Sequence, residues 1–117
     1  MSKIRVLHNP RCSKSRQTCR LLEDSGKDFE IIEYLKHPPS PSELKTISEQ
    51  LDLAPTEFIR AKEKTFKELG LSLKDDRSDD DWFALMSANP ILIERPIVIR
   101  NGQAVLGRPP ENIQQIL

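Results

Sequence analysis

The stretch Ile4-Arg5-Val6-Leu7-His8-Asn9-Pro10-Arg11-Cys12-Ser13-Lys14-Ser15-Arg16 decides the fold. Ile4, Val6 and Leu7 make a short apolar strand, and Asn9-Pro10 cuts it off. From Ser15 to Ser25 the pattern turns helical, with Thr18, Cys19, Leu21 and Leu22 on the apolar side. Gly26 is a natural stop for that helix. Phe29-Glu30-Ile31-Ile32-Glu33-Tyr34-Leu35 is rich in β-formers and short enough for a buried strand. Strand, helix and strand in sequence imply two parallel strands joined by a right-handed crossover.

The chain then changes character. Lys36-His37-Pro38-Pro39 is a rigid connector, and Ser40-Pro41-Ser42-Glu43 is a helix start with Ser at N-cap, Pro at N1 and Glu at N3. Leu44, Ile47 and Leu51 stripe that helix. Thr56 or Pro55 opens a short helix through Phe58-Ile59-Arg60. Lys62 to Leu69 reads as helical and is ended by Gly70. Ser78-Asp79-Asp80-Asp81 puts acids in a first turn, where the helix dipole favours them, and Trp82, Phe83, Leu85 and Met86 supply a core face. This helical middle, at about residues 41–89, reads as an insertion packed on the sheet of one 117-residue domain, since no flexible linker flanks it. Ile97–Arg100 and Gln103–Leu106 flank Asn101-Gly102, the signature of a type I′ hairpin. Pro110-Glu111 starts a closing helix with Ile113, Ile116 and Leu117 inward. The order β-α-β, helical insertion, β-β-α is thioredoxin-like and predicts an α/β fold with a mixed four-stranded sheet.

The same opening segment carries the chemistry. Cys12 sits between the C-terminal end of a parallel strand and the start of the next helix, where α/β sheets bind ligands. Backbone N–H groups and the helix dipole favour thiolate over thiol there, and such positions pull a cysteine pKa from ~8.5 to roughly 3.5–7.5. Arg11, Lys14 and Arg16 add positive potential, and Ser13 and Ser15 can donate to the sulfur or cap the helix. The alternative, an ordinary small buried cysteine, fits poorly with the polar flanks. Cys19 lies two turns on, about 10 Å of rise, on the apolar side of the helix. It reads as a core residue, with a resolving-thiol role as the lesser alternative. Ser15 stands where a C-x-x-C motif would have its second cysteine, so the second electron pair must come from an external thiol.

Composition narrows the partners. Eighteen acids balance eighteen bases, which gives no broad basic face for nucleic acid and no bulk attraction to an acidic membrane. Two cysteines are too few for a disulfide scaffold, and no metal-type Cys/His spacing accompanies them. Met1-Ser2-Lys3-Ile4-Arg5 lacks a signal-peptide pattern, and no segment approaches the ~18–20 apolar residues of a membrane span. A soluble, reduced, cytoplasmic setting and a monomer are expected.

Further motifs are His8-Asn9-Pro10-x-Cys12 followed by Ser15-Arg16, Tyr34-Leu35-Lys36-His37-Pro38-Pro39-Ser40, Phe58-Ile59-Arg60, Leu69-Gly70-Leu71, Arg95-Pro96-Ile97-Val98 and Gly107-Arg108-Pro109. With these the chain resembles, over its whole length, the ArsC family of glutaredoxin-dependent arsenate reductases and their relatives. The resemblance implies that Cys12 attacks an oxyanion, that Arg60, Arg95 and Arg108 surround it, and that His8 tunes the thiolate, with Ser15 beside it. It also implies a cis peptide before Pro96, no bound cofactor, glutathione as co-substrate and glutaredoxin as partner. Arginine suits this task because its planar fork of N–H donors matches tetrahedral oxyanions; taken singly, each arginine reads equally as a solvated surface group. His8 alone reads equally as strand-end packing, and His37 as surface. The family's characterised reductases carry Gly-Thr after the cysteine, where this chain has Ser13-Lys14. Two other functions fit the same features: a monothiol glutaredoxin-like oxidoreductase acting on glutathione mixed disulfides, and a non-enzymatic Spx-like transcription regulator, whose usual C-x-x-C switch Ser15 breaks.

Overall fold

A computed structural model describes residues 3–117; Met1 and Ser2, the first residues of the stretch read as lacking a signal peptide, lie outside the described residues. The chain divides into two compact units, residues 1–37 with 95–117, and residues 38–94.

The first unit is built on a four-stranded sheet. Its strands are β1 (Ile4–Leu7), β2 (Phe29–Ile32), β3 (Ile97–Arg100) and β4 (Gln103–Leu106). The order across the sheet is β2-β1-β3-β4. β1 and β2 run parallel, with Ile4 opposite Phe29, while β1–β3 and β3–β4 are antiparallel. The expected crossover is α1 (Ser13–Asp24), which begins two residues earlier than the sequence pattern suggests because Cys12 itself takes the N-cap position. Thr18, Cys19 and Leu22 face inward, and Gly26 ends the helix with φ +73°. Ile4, Val6, Cys19, Leu22, Val98 and Ile113 form the core, with Leu21, Phe29, Val105, Ile116 and Leu117 packed around it. Asn101 and Gly102 both have positive φ, as a type I′ turn requires.

Two readings are corrected here. β2 stops at Ile32 rather than Leu35, because Glu33 O accepts from the N–H groups of both Lys36 and His37 and so closes a turn. The closing helix is a 3-10 segment, Pro110–Gln115, in which Asn112 donates its side-chain amide to Leu106 O and Arg108 O.

The second unit is helical: α2 (Pro41–Leu51), α3 (Lys64–Glu68) and α4 (Asp79–Ala88). Ser40 and Ser78 both form full capping boxes, with Glu43 and Asp81. α2 packs on α4, and Phe66 stacks on Trp82 at 6.4 Å. The expected helix through Phe58-Ile59-Arg60 is limited to a 3-10 turn at Pro55–Glu57. Ile59 then pairs with Ile93 in an antiparallel bridge, and Arg60 N–H donates to Leu92 O, so the extended apolar segment gains a backbone partner that a helix would not offer.

Candidate active site

The turn between β1 and α1 is tied down from within. Asn9 Oδ1 accepts the Arg11 N–H at 3.0 Å and Asn9 O accepts the Cys12 N–H at 2.9 Å. This is an Asx turn, in which asparagine bonds to its own backbone two residues on. From the helix side, Arg16 Nη1 donates to Pro10 O at 2.9 Å. Ser15 is fully buried; its hydroxyl accepts the Asn9 N–H at 3.0 Å and lies 2.8 Å from His8 Nδ1.

These bonds hold Cys12, half-buried and free, at the start of α1 with extended backbone, φ −95° and ψ 123°. Burial opposes its ionisation. The backbone N–H of Ser15, the Arg95 guanidinium as hydrogen-bond donor and positive charge, and the N–H of Lys14 outweigh that, and the thiol ionises below its ordinary range. Cys12 makes no side-chain cap hydrogen bond; the N–H groups of Ser15 and Lys14 lower its pKa by favouring negative charge on the sulfur. Arg95 immediately precedes a cis peptide to Pro96, and Arg108 precedes a second cis peptide to Pro109. The exposed Arg108 donates from Nη1 to Arg95 O at 3.3 Å, which places two guanidinium-bearing residues together in this unit.

His8 is buried, and its pKa is lowered from the ordinary value: burial lowers it most, Glu33 raises it and Arg16 lowers it. Its Nδ1 contacts Ser15 Oγ and, at 3.5 Å, Cys19 Sγ. A route from His8 to Cys12 therefore runs through Ser15. Cys19 is a core thiol, pushed up to about 11 by burial and by Glu23. Arg60 belongs to the other unit. There its Nε and Nη1 donate at 2.9 Å to Glu63 and Glu94, and although burial lowers its pKa these carboxylates raise it above the ordinary value.

Two residues have roles that the sequence reading did not assign. Asn9 organises the turn, and the signal for it was present as Asn followed by Pro ahead of the cysteine. Gly107 lies where an added Cβ would meet Thr18 Oγ1 at 2.6 Å and Pro96 Cγ at 2.7 Å, while its N–H donates to Pro96 O. Only a glycine permits that approach, and nothing local in the sequence reveals it. Among the described residues no group of three His, Cys, Asp or Glu side chains is placed to hold a metal, and no helix is long and apolar enough to cross a membrane.

A thioredoxin-like four-stranded sheet with a cysteine of lowered pKa at the start of its first helix places the chain in the α/β class. The chain belongs to the ArsC family, whose model matches residues 7–116. It is 45% identical over 118 residues to a protein of Neisseria meningitidis serogroup A named arsenate reductase, with all of both chains covered. It is 40% identical to the Escherichia coli K12 protein named Uncharacterized protein YfgD, over 97% of this chain and 96% of that one. Among solved structures, the arsenate reductase from Vibrio cholerae superposes with a TM-score of 0.93 at 49% identity, covering 98% of each chain.

Proposed function

We propose that this protein is an arsenate-reducing thiol enzyme with Cys12 as its nucleophile. The observation that carries the reading is Cys12 at the N-cap of α1, its pKa lowered by the backbone N–H groups of Ser15 and Lys14 and by the Arg95 guanidinium. Relatives named arsenate reductase at 45% and 49% identity support it.

The steps balance as follows. The Cys12 thiolate attacks arsenic, an As–S bond forms, and one arsenate hydroxyl leaves as water with an added proton. The charge on the remaining oxygens falls to Arg95 and Arg108. The family resemblance adds Arg60, whose guanidinium is paired with Glu63 and Glu94. A glutathione thiolate then attacks Cys12 Sγ. The S–As bond breaks, its electron pair stays on arsenic, arsenic(V) becomes arsenic(III), and the two thiols become a mixed disulfide. Glutaredoxin takes the glutathione off by thiol exchange and restores Cys12. No bound cofactor is required, and the reading assumes a monomer in a reducing cytoplasm, where two free thiols persist.

The test is arsenate-dependent turnover in a coupled glutathione and glutaredoxin assay. Wild type is expected to turn over and Cys12→Ser to show none; equal rates for the two, or no rate above background for wild type, overturn the proposal. Exchange with a glutathione mixed disulfide without any oxyanion effect points instead to the monothiol oxidoreductase.

A further inference from the structure

Helix α1 carries its charges the wrong way round for its own dipole. Lys14, Arg16 and Arg20 lie in its first two-thirds and Arg11 just before it, while Glu23 and Asp24 end it. No acid stands in its first turn and no base in its last. Helix dipoles favour the reverse, so the pattern costs stability and calls for a reason outside the fold. Thiolate activation does not supply one for Arg20, which is eight residues past Cys12, about 12 Å of helical rise.

A second observation lies alongside. A surface groove of about 270 Å³ is lined by His8, Arg16, Cys19, Arg20, Glu23 and Ile31. Its helical residues recur at i, i+3, i+4 and i+7, one face of α1 that begins a turn beyond Cys12. Its apolar wall is Ile31, 47% exposed on β2, an edge strand of the sheet. Cationic rims around an exposed apolar side chain are the make-up of a protein contact rather than of a small-anion pocket, because one oxyanion needs neither Ile31 nor charged residues spread over two turns.

We infer that the cationic face of α1 with this groove docks the acidic face of the protein thiol that regenerates Cys12. Carboxylates of the partner pair with Arg16 and Arg20, an apolar side chain rests on Ile31, and Glu23 at the far end repels further acids and so limits the footprint. The inference rests on the reading that a protein reductant restores Cys12, but not on arsenate being the substrate.

The test begins from protein whose Cys12 has been converted to the glutathione mixed disulfide with glutathione disulfide, so no oxyanion step is needed. Its reduction by glutaredoxin and by dithiothreitol is followed by mass spectrometry at rising salt. The glutaredoxin rate is expected to fall about tenfold or more with salt, as steered encounters do, and the dithiothreitol rate to stay flat. Arg20→Glu is expected to lower the ratio of the two rates by a similar factor, and Arg20→Lys to keep it. Equal salt dependence for both reductants, an unmoved ratio in Arg20→Glu, or an adduct that glutaredoxin fails to reduce overturns the inference. Loss of arsenate turnover with the salt effect intact overturns the proposed substrate and leaves the docking surface standing.

Discussion

Replacing Ser15 by alanine separates two roles that one residue combines. The side chain is fully buried and serves Asn9 N–H at 3.0 Å and His8 Nδ1 at 2.8 Å. Its removal leaves the Asn9 N–H without that acceptor and leaves His8 Nδ1 with the Cys19 sulfur at 3.5 Å. An unsatisfied buried donor costs about 1–3 kcal/mol, and the partly compensated imidazole adds about 1. The variant should lose about 2–4 kcal/mol, a large share of the roughly 5–15 kcal/mol that a domain holds. In urea the midpoint should drop with the slope unchanged, and the melting temperature should fall by about 10 °C. The Cys12 pKa should nevertheless stay below the ordinary thiol range, because the N–H groups of Ser15 and Lys14 belong to the backbone and survive the substitution. A stability loss under about 0.5 kcal/mol, the range of a neutral surface change, would refute the packing argument. A Cys12 pKa restored to the ordinary range in a fully stable variant would show the hydroxyl, not the amides, to be the activating group.

Further outcomes follow from neighbouring geometry. Gly107→Ala forces a methyl to within 2.7 Å of Pro96 and 2.6 Å of Thr18, and should cost about 1–3 kcal/mol by overpacking, measured by chemical denaturation. The His8 pKa is held below its ordinary 6.5 chiefly by burial, so its contribution to stability is complete above about 6.5 and is lost as pH falls through the folded value. Urea midpoints from pH 8 to 5 should decline in wild type, and His8→Gln should remove that part of the slope. Arg60→Gln removes two ion pairs whose carboxylates are each little more than a fifth exposed; the expected cost, between that of a surface pair and a buried one, is about 1–2 kcal/mol, again read from denaturation.

Local patterning made much of the fold legible. Ser40-Pro41-Ser42-Glu43 and Ser78 through Asp81 announce helices whose capping boxes form as written, and Asn101-Gly102 sets the hairpin by backbone sterics alone. What local patterning could not show was competition between backbone partners. Tyr34 and Leu35 have strand propensity, yet Glu33 O recruits two later N–H groups and ends β2 early. Phe58-Ile59 has helical neighbours, yet Ile93, 34 positions after Ile59, supplies the bridge that extends it. At the site, Cys12 at a strand end was readable, as was arginine beside the expected cis-Pro96. The division of labour was not. Ser15 acts on the sulfur through its amide and on the turn through its hydroxyl, and His8 faces Ser15 and Cys19. Gly107 owes its identity to a contact with Pro96, a residue no pattern in its own vicinity names.

The most direct test is an ultraviolet thiolate titration of the reduced protein, with Cys12→Ser as the blank that leaves only Cys19. The difference curve should show one sulfur ionising below the ordinary thiol value of ~8.5, while the blank ionises only near the value of about 11 set by burial of Cys19. A difference curve with its midpoint at or above ~8.5 would contradict the claim that the start of α1 and Arg95 hold Cys12 as an anion.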